Sequence, residues 1–157
     1  MPHNLLNKPA PADVVLQNQN GEEVNLSSFI GSRPTIVFFY PKDETSGCTK
    51  EVCSFRDSYS VFSDAGAVVV GISADPIDSH KRFSDTNRLN FPLLSDADGV
   101  ARKAFQVSKS LFGMIAGRVT YLIDREGIIR QVFNSQTDIE GHVKKSLAFV
   151  AEQCETE

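Results

Sequence analysis

Two long apolar runs stand out along the chain. Residues 34–40 read Pro-Thr-Ile-Val-Phe-Phe-Tyr, and residues 67–73 read Ala-Val-Val-Val-Gly-Ile-Ser. Neither run alternates with polar residues, so each predicts a strand covered on both faces of a sheet. Shorter runs predict further strands. Residues 14–16 and 24–26 flank the turn dipeptide Asn20-Gly21, which is a β-hairpin pattern. Residues 91–95 predict a short strand in which Pro92 has no N–H to give to a ladder. Residues 119–124 and 128–133 predict a second hairpin around Arg125-Glu126-Gly127.

Helical spacing fills the intervals. Over residues 48–65, Phe55, Tyr59 and Phe62 fall at i, i+4 and i+7 and share one face. Gly66 is a suitable stop for that helix. Residues 78–88, 99–105 and 139–153 predict further helices, and residues 27–31 a helical turn closed by Gly31. Residues 107–117 predict a loop with exposed apolar side chains. Strands alternate with helices early, and a hairpin and a helix follow. This order predicts an α/β fold with a central mixed β-sheet, helices on both faces and an N-terminal β-hairpin. No repeat, linker or low-complexity segment divides the chain, so one domain over residues 1–157 is expected.

Composition narrows the function classes. A formal charge of −4 without a basic block argues against nucleic acid or an anionic membrane as partner. No stretch approaches the roughly 20 apolar residues of a membrane span. Residues 1–8 lack the basic region and long apolar run of a signal peptide. A cytoplasmic protein is expected, or a plastid protein whose transit peptide has been removed.

The chain has three cysteines, and two of them stand where chemistry is available. Cys48 follows Gly47 at the predicted start of a helix, directly after the first buried strand. Free N–H groups and the helix dipole at that place favour an anion, here the nucleophilic thiolate. Gly47 lets the backbone approach a small substrate closely. Cys53 lies five residues on, roughly 140° around a regular helix and about 8–9 Å away between Cα atoms. A disulfide needs Cα atoms within about 7 Å. A Cys48–Cys53 bond therefore requires local unwinding, which predicts a coupled redox and conformational switch. C-x4-C is the wrong spacing for a C-x-x-C redox pair or a zinc knuckle, and no further ligand stands at a suitable local spacing. Thr45 lies one turn before Cys48, where its hydroxyl can reach the sulfur or serve as a helix cap. Pro41 ends the strand and fixes the turn. Glu51 reads as a first-turn acid supporting the dipole. Arg118 opens a predicted strand, where its guanidinium reaches Cys48 if the two strand ends lie side by side. His80 reads as a solvated or capping side chain near a helix start and His142 as a residue on a solvated helix face, which leaves Cys48 without the histidine partner a hydrolase needs.

The run Pro41-x3-Thr45-x2-Cys48 resembles the peroxiredoxin active-site motif. Its extension, Gly47-Cys48-Thr49-Lys50-Glu51-x-Cys53-Ser54-Phe55-Arg56-Asp57, is similar to the peroxiredoxin Q, or bacterioferritin-comigratory-protein, branch. The likeness continues through residues 79–83 and through Gly117-Arg118-x-Thr120-Tyr121-Leu122-Ile123-Asp124, and so covers nearly the whole chain. Ser46 is a departure, since many members have proline there. The resemblance implies a thioredoxin fold and thiol peroxidase activity on hydrogen peroxide and alkyl hydroperoxides, without metal, haem or flavin. It implies that Cys48 is the peroxidatic cysteine and Cys53 the resolving one. It assigns Thr45 and Arg118 to orienting the peroxide and Pro41 to shielding the thiolate, with thioredoxin or a similar dithiol as reductant. It gives Cys154 no role. An intramolecular resolving cysteine makes a monomer sufficient. The competing function is a redox sensor or partner-binding module switched by Cys48–Cys53 oxidation. A general disulfide reductase would need C-x-x-C. The apolar residues of 110–117, Phe112 and Met114 among them, are expected to rim the site mouth.

Overall fold

The computed structural model describes residues 3–107, 109–110 and 115–155. The early elements are strands β1 (Val15–Gln17) and β2 (Glu23–Asn25), a 3-10 turn (Leu26–Ser28), strand β3 (Thr35–Phe39), and helices α1 (Ser46–Asp57) and α2 (Tyr59–Asp64). Strand β4 (Val68–Ser73), helix α3 (Ile77–Asn87), strand β5 (Leu93–Ser95) and helix α4 (Val100–Ala104) follow. The chain continues through β6 (Lys109–Ser110), β7 (Ile115–Ala116), β8 (Val119–Ile123) and β9 (Ile129–Asn134) to helix α5 (Ile139–Glu155). Seven strands make one mixed sheet in the order β2-β1-β5-β4-β3-β8-β9, and β6 pairs with β7 apart from it.

β3 lies inside the sheet, and all five of its residues are buried. It runs parallel to β4, with Thr35 opposite Val68 and Phe39 opposite Ile72. It runs antiparallel to β8, with Thr35 opposite Ile123 and Phe39 opposite Val119. Successive side chains feed opposite cores, which explains why the run does not alternate with polar residues. Ile36, Phe38 and Tyr40 pack with Val52 and Phe55 of α1, Phe62 of α2, and Val143, Phe149 and Val150 of α5. Val37 and Phe39 pack on the other face with Leu26, Ala101, Phe105 and Tyr121. Each fully buried Val, Leu, Ile or Phe side chain among these contributes about 1.5–3 kcal/mol. The Phe38 and Phe55 rings stack with centroids 4.4 Å apart, which ties α1 to the sheet.

Two elements differ from the sequence expectation. The helix predicted over 48–65 is two helices broken at Ser58, whose N–H bonds to Arg56 O and Ser54 O. Asp57 and Ser58 are weak helix formers whose side chains compete for backbone partners. The loop predicted over 107–117 contains the β6–β7 pair, with Lys109 opposite Ala116 and Ser110 opposite Ile115. Phe112 and Met114, expected at the site mouth, lie outside the described residues. Among the described residues no helix is long and apolar enough to cross a membrane.

Candidate active site

The site forms where β3 ends and α1 begins. Asp43 anchors the connecting turn from both its backbone and its side chain. Its N–H donates to Asp75 Oδ2 at 2.8 Å, and its carboxylate accepts from Tyr40 Oη at 2.7 Å and Ser79 Oγ at 2.8 Å. His80 Nδ1 lies 2.7 Å from Asp43 Oδ2, and His80 Nε2 lies 3.1 Å from Leu94 O. A carbonyl only accepts, so Nε2 carries a proton. The Asp43–His80 contact then needs one more proton between its two atoms. Asp43, Asp75 and His80 have metal-ligand spacing, but these hydrogen bonds engage all three. His80 is fully buried, which corrects its reading as solvated. It shares a helix face with the buried Phe83 and Ser84, at i+3 and i+4.

Pro41 is half-buried beside this turn. Thr45 is the N-cap of α1 in an extended conformation, and its side chain makes no capping bond. Its hydroxyl is exposed and donates to Lys42 O at 3.0 Å, so the bond is to the turn and not to the sulfur. Gly47 has a steric reason to be glycine: a Cβ there would stand 3.3 Å from Arg118 Nη2. The missing side chain lets the guanidinium close on the helix start.

Cys48 lies in the first turn of α1 with 0% exposure. Arg118 Nη2 donates to its Sγ at 3.4 Å. The antiparallel β3–β8 register causes this contact. Phe39 opposite Val119 leaves Arg118 beside the end of β3, where the turn into α1 begins. The expected meeting of the two strand ends is present.

Glu51, one turn after Cys48, completes the cluster. It is fully buried, and its Oε1 accepts from Arg118 Nη1 at 2.6 Å. It is a buried ion-pair partner beyond the first turn of α1, which corrects its reading as a first-turn acid supporting the helix dipole. Burial pushes its carboxyl up to about 7, partly opposed by the Arg118 charge and hydrogen bond. Its Oε2 lies 3.7 Å from His142 Nδ1 and has no hydrogen-bond partner among the described residues. His142 Nε2 lies 2.8 Å from Ser135 O, so this nitrogen carries the proton of the neutral ring. Nδ1 then accepts from Thr120 Oγ1 at 2.7 Å. Burial drives the His142 ring down to about 4, with the Arg118 charge adding to the effect. His142 is fully buried, not on a solvated face. Its spacing to Ser146, Phe149 and Val150 on the buried face of α5 carries that signal.

Cys53 lies on the same unbroken helix, half-buried, and its Sγ donates to Asn87 Oδ1 of α3 at 3.4 Å. Five residues of regular helix separate it from Cys48, so the two sulfurs leave α1 in different directions. The side chain of Cys154 lies outside the described residues.

The chain matches the AhpC/TSA family over residues 6–132. It is 47% identical over 140 residues to the chloroplastic peroxiredoxin Q of Suaeda salsa, covering 89% of this chain and 65% of that protein. It is likewise 47% identical over 138 residues to that of Populus jackii, covering 88% of this chain and 64% of that protein. The chain thus spans a little under two thirds of those relatives' length. Among solved structures it resembles the peroxidoxin BcpB of Mycobacterium tuberculosis, with a TM-score of 0.86 and 36% identity over 96% of this chain and 98% of that one. It also resembles the bacterioferritin comigratory protein of Xanthomonas campestris, with a TM-score of 0.82 and 32% identity over 91% of this chain and 93% of that one. These likenesses bear out the thioredoxin-type fold implied by the motif. From the turn that carries Cys48 to the strand that delivers Arg118, the chain belongs to the AhpC/TSA family, in its peroxiredoxin Q / bacterioferritin-comigratory-protein branch.

Proposed function

We propose that this chain is a thiol-dependent peroxidase acting on hydrogen peroxide and alkyl hydroperoxides. The observation that carries the reading is the Arg118 guanidinium 3.4 Å from a buried sulfur at a helix start. An adjacent cation and the free N–H groups of the first turn favour the Cys48 thiolate. The Xanthomonas campestris relative is described as having alkyl peroxide reduction activity, which supports the same substrate class here.

In the first step the Cys48 thiolate attacks the terminal oxygen of the hydroperoxide. A sulfur–oxygen bond forms as the O–O bond breaks. The leaving alkoxide takes up a proton and departs as alcohol, or as water from hydrogen peroxide, and Cys48 becomes a sulfenic acid. Arg118 Nη2 and the backbone N–H of Cys48 hold the peroxide oxygens and stabilise the charge that develops on them. Thr45 turns its hydroxyl from Lys42 to the peroxide, and Pro41 shields the thiolate from water. In the second step α1 unwinds locally, and the Cys53 sulfur displaces the sulfenic oxygen as water to form the Cys48–Cys53 disulfide. Thioredoxin or a similar dithiol then reduces this bond through a mixed disulfide. The cycle runs within one single-domain monomer. The plant relatives are chloroplastic by name, and a cytoplasmic or plastid site suits a protein recycled by thioredoxin.

The test is thioredoxin-coupled peroxide consumption by wild type, Cys48→Ser and Cys53→Ser. Many turnovers in wild type, none in Cys48→Ser, and stalling of Cys53→Ser after one equivalent are expected. One oxidation without turnover in wild type would point to a redox sensor. Equal activity in wild type and Cys48→Ser would remove Cys48 from the chemistry.

A further inference from the structure

We propose that Asn87 is a positioning residue that retains Cys53 in the helical form of α1 and thereby sets the rate of disulfide formation. The proposal rests on the reading of Cys53 as the resolving cysteine. Three contacts carry it, and all converge on the last residue of α3. The Cys53 thiol donates to Asn87 Oδ1 at 3.4 Å. The amide cannot be turned the other way, because Asn87 Nδ2 donates to Phe83 O at 2.9 Å. Arg56 Nη1, one turn of α1 further on, donates to Asn87 O at 2.7 Å. That carbonyl belongs to the last turn of α3 and has no acceptor duty within the helix. Arg88 follows in the left-handed region at φ 53°, which turns the chain away and leaves the carbonyl facing α1.

The two ends of α1 are thus held by different parts of the molecule. Arg118 holds the N-terminal half through Cys48 and Glu51. Asn87 holds the turn that carries Cys53 and Arg56. The two sulfurs meet only if the helix between these anchors opens, since Cα atoms five residues apart in a helix are roughly 8–9 Å apart and a disulfide needs less than about 7 Å. Opening must break the Cys53–Asn87 bond before the Cys53 sulfur can displace water from the Cys48 sulfenic acid. A second hydroperoxide competes during this interval. It transfers an oxygen to the sulfenic acid, giving sulfinic acid and a second alcohol. Asn87 therefore sets the partition between disulfide and over-oxidised product.

The experiment oxidises the full chain with one equivalent of hydrogen peroxide for a single turnover and, in parallel, with a fixed excess of hydrogen peroxide. Acid quench, maleimide labelling and peptide mass mapping would count Cys48 sulfenic acid, Cys48–Cys53 disulfide and sulfinic acid over time. Asn87→Ala is expected to form disulfide about two- to tenfold faster, the range corresponding to one modest hydrogen bond. Its first-step oxidation should keep the wild-type rate, and less sulfinic acid should form at a given peroxide excess. Asn87→Asp keeps an acceptor for the thiol and is expected not to accelerate. Arg56→Met, which leaves the sulfur contact intact, should accelerate less than Asn87→Ala. An unchanged or slower disulfide step in a folded Asn87→Ala variant would overturn the proposal. So would an Asn87→Asp variant as fast as Asn87→Ala, since that would mark loss of the α3 end and not of the thiol contact. A wild type in which Cys48 is oxidised but no Cys48–Cys53 disulfide forms would instead overturn the resolving role on which it rests.

Discussion

Replacing Glu51 by glutamine removes one titration from the centre of the site and should change how stability depends on pH. The Glu51 carboxyl is raised from 4.5 to about 7 because it is buried. A raised acid binds its proton more tightly in the folded chain than in the unfolded one. Its stabilisation is fully present below pH 4.5 and is lost as pH rises through 7. Between pH 5 and pH 8 this loss integrates to roughly 2–3 kcal/mol. His142 works in the opposite sense. Its ring is lowered from 6.5 to about 4, so stability is lost as pH falls from 6.5 through 4. Over the same pH 5–8 window it contributes a rise of about 2 kcal/mol. In wild type the two nearly cancel, and stability from this pair is close to flat. Glu51→Gln keeps the His142 effect alone. Denaturant unfolding at several pH values should show the variant gaining roughly 2–3 kcal/mol on wild type between pH 5 and pH 8, whatever their offset at one pH. Parallel profiles for the two proteins would refute the reasoning, since the buried carboxyl would then not titrate with folding.

Three further outcomes are expected. Arg118→Met should lower kcat/KM for peroxide by about 100- to 1000-fold, the scale for removing one charge-stabilising donor, while circular dichroism stays native. His80→Leu leaves the buried Asp43 carboxyl without its 2.7 Å partner and should destabilise by about 3–5 kcal/mol in denaturant unfolding. Gly71→Ala on β4 would put a Cβ 2.7 Å from Phe38 Cζ and 2.9 Å from Leu93 Cδ2. Because Phe38 is stacked on Phe55, it has little room to yield, and a loss of about 1–3 kcal/mol, read as a Tm several degrees lower, is expected.

The parts of the site that the sequence made legible are those built by neighbours in the chain. The unbroken apolar run over 34–40 identified β3 as an interior strand, because only a strand covered on both faces needs apolar side chains at both parities. Gly47 and Cys48 announced a cysteine at a helix start, and C-x4-C announced two sulfurs that a helix holds apart. The break at Ser58 was less legible, since Phe55 and Phe62 keep the same face whether or not the helix is continuous.

The buried polar chemistry was decided by segments far apart in the chain. Arg118 meets Cys48 across 70 positions only because β8 lies antiparallel to β3 in one register. Glu51, His80 and His142 looked like ordinary surface residues of helices, and all three have 0% exposure. The physical reason is that local sequence determines backbone preference and which face of a helix is apolar, both short-range properties. Whether a charged or titratable side chain is buried depends on finding its partner, and Arg118 for Glu51, Asp43 for His80 and Thr120 with Ser135 for His142 come from other elements. The sequence by itself thus determined the sheet, the helix start and the two cysteines. Only the tertiary structure decided which charges leave water, because their desolvation is offset by contacts that exist only after the sheet has assembled.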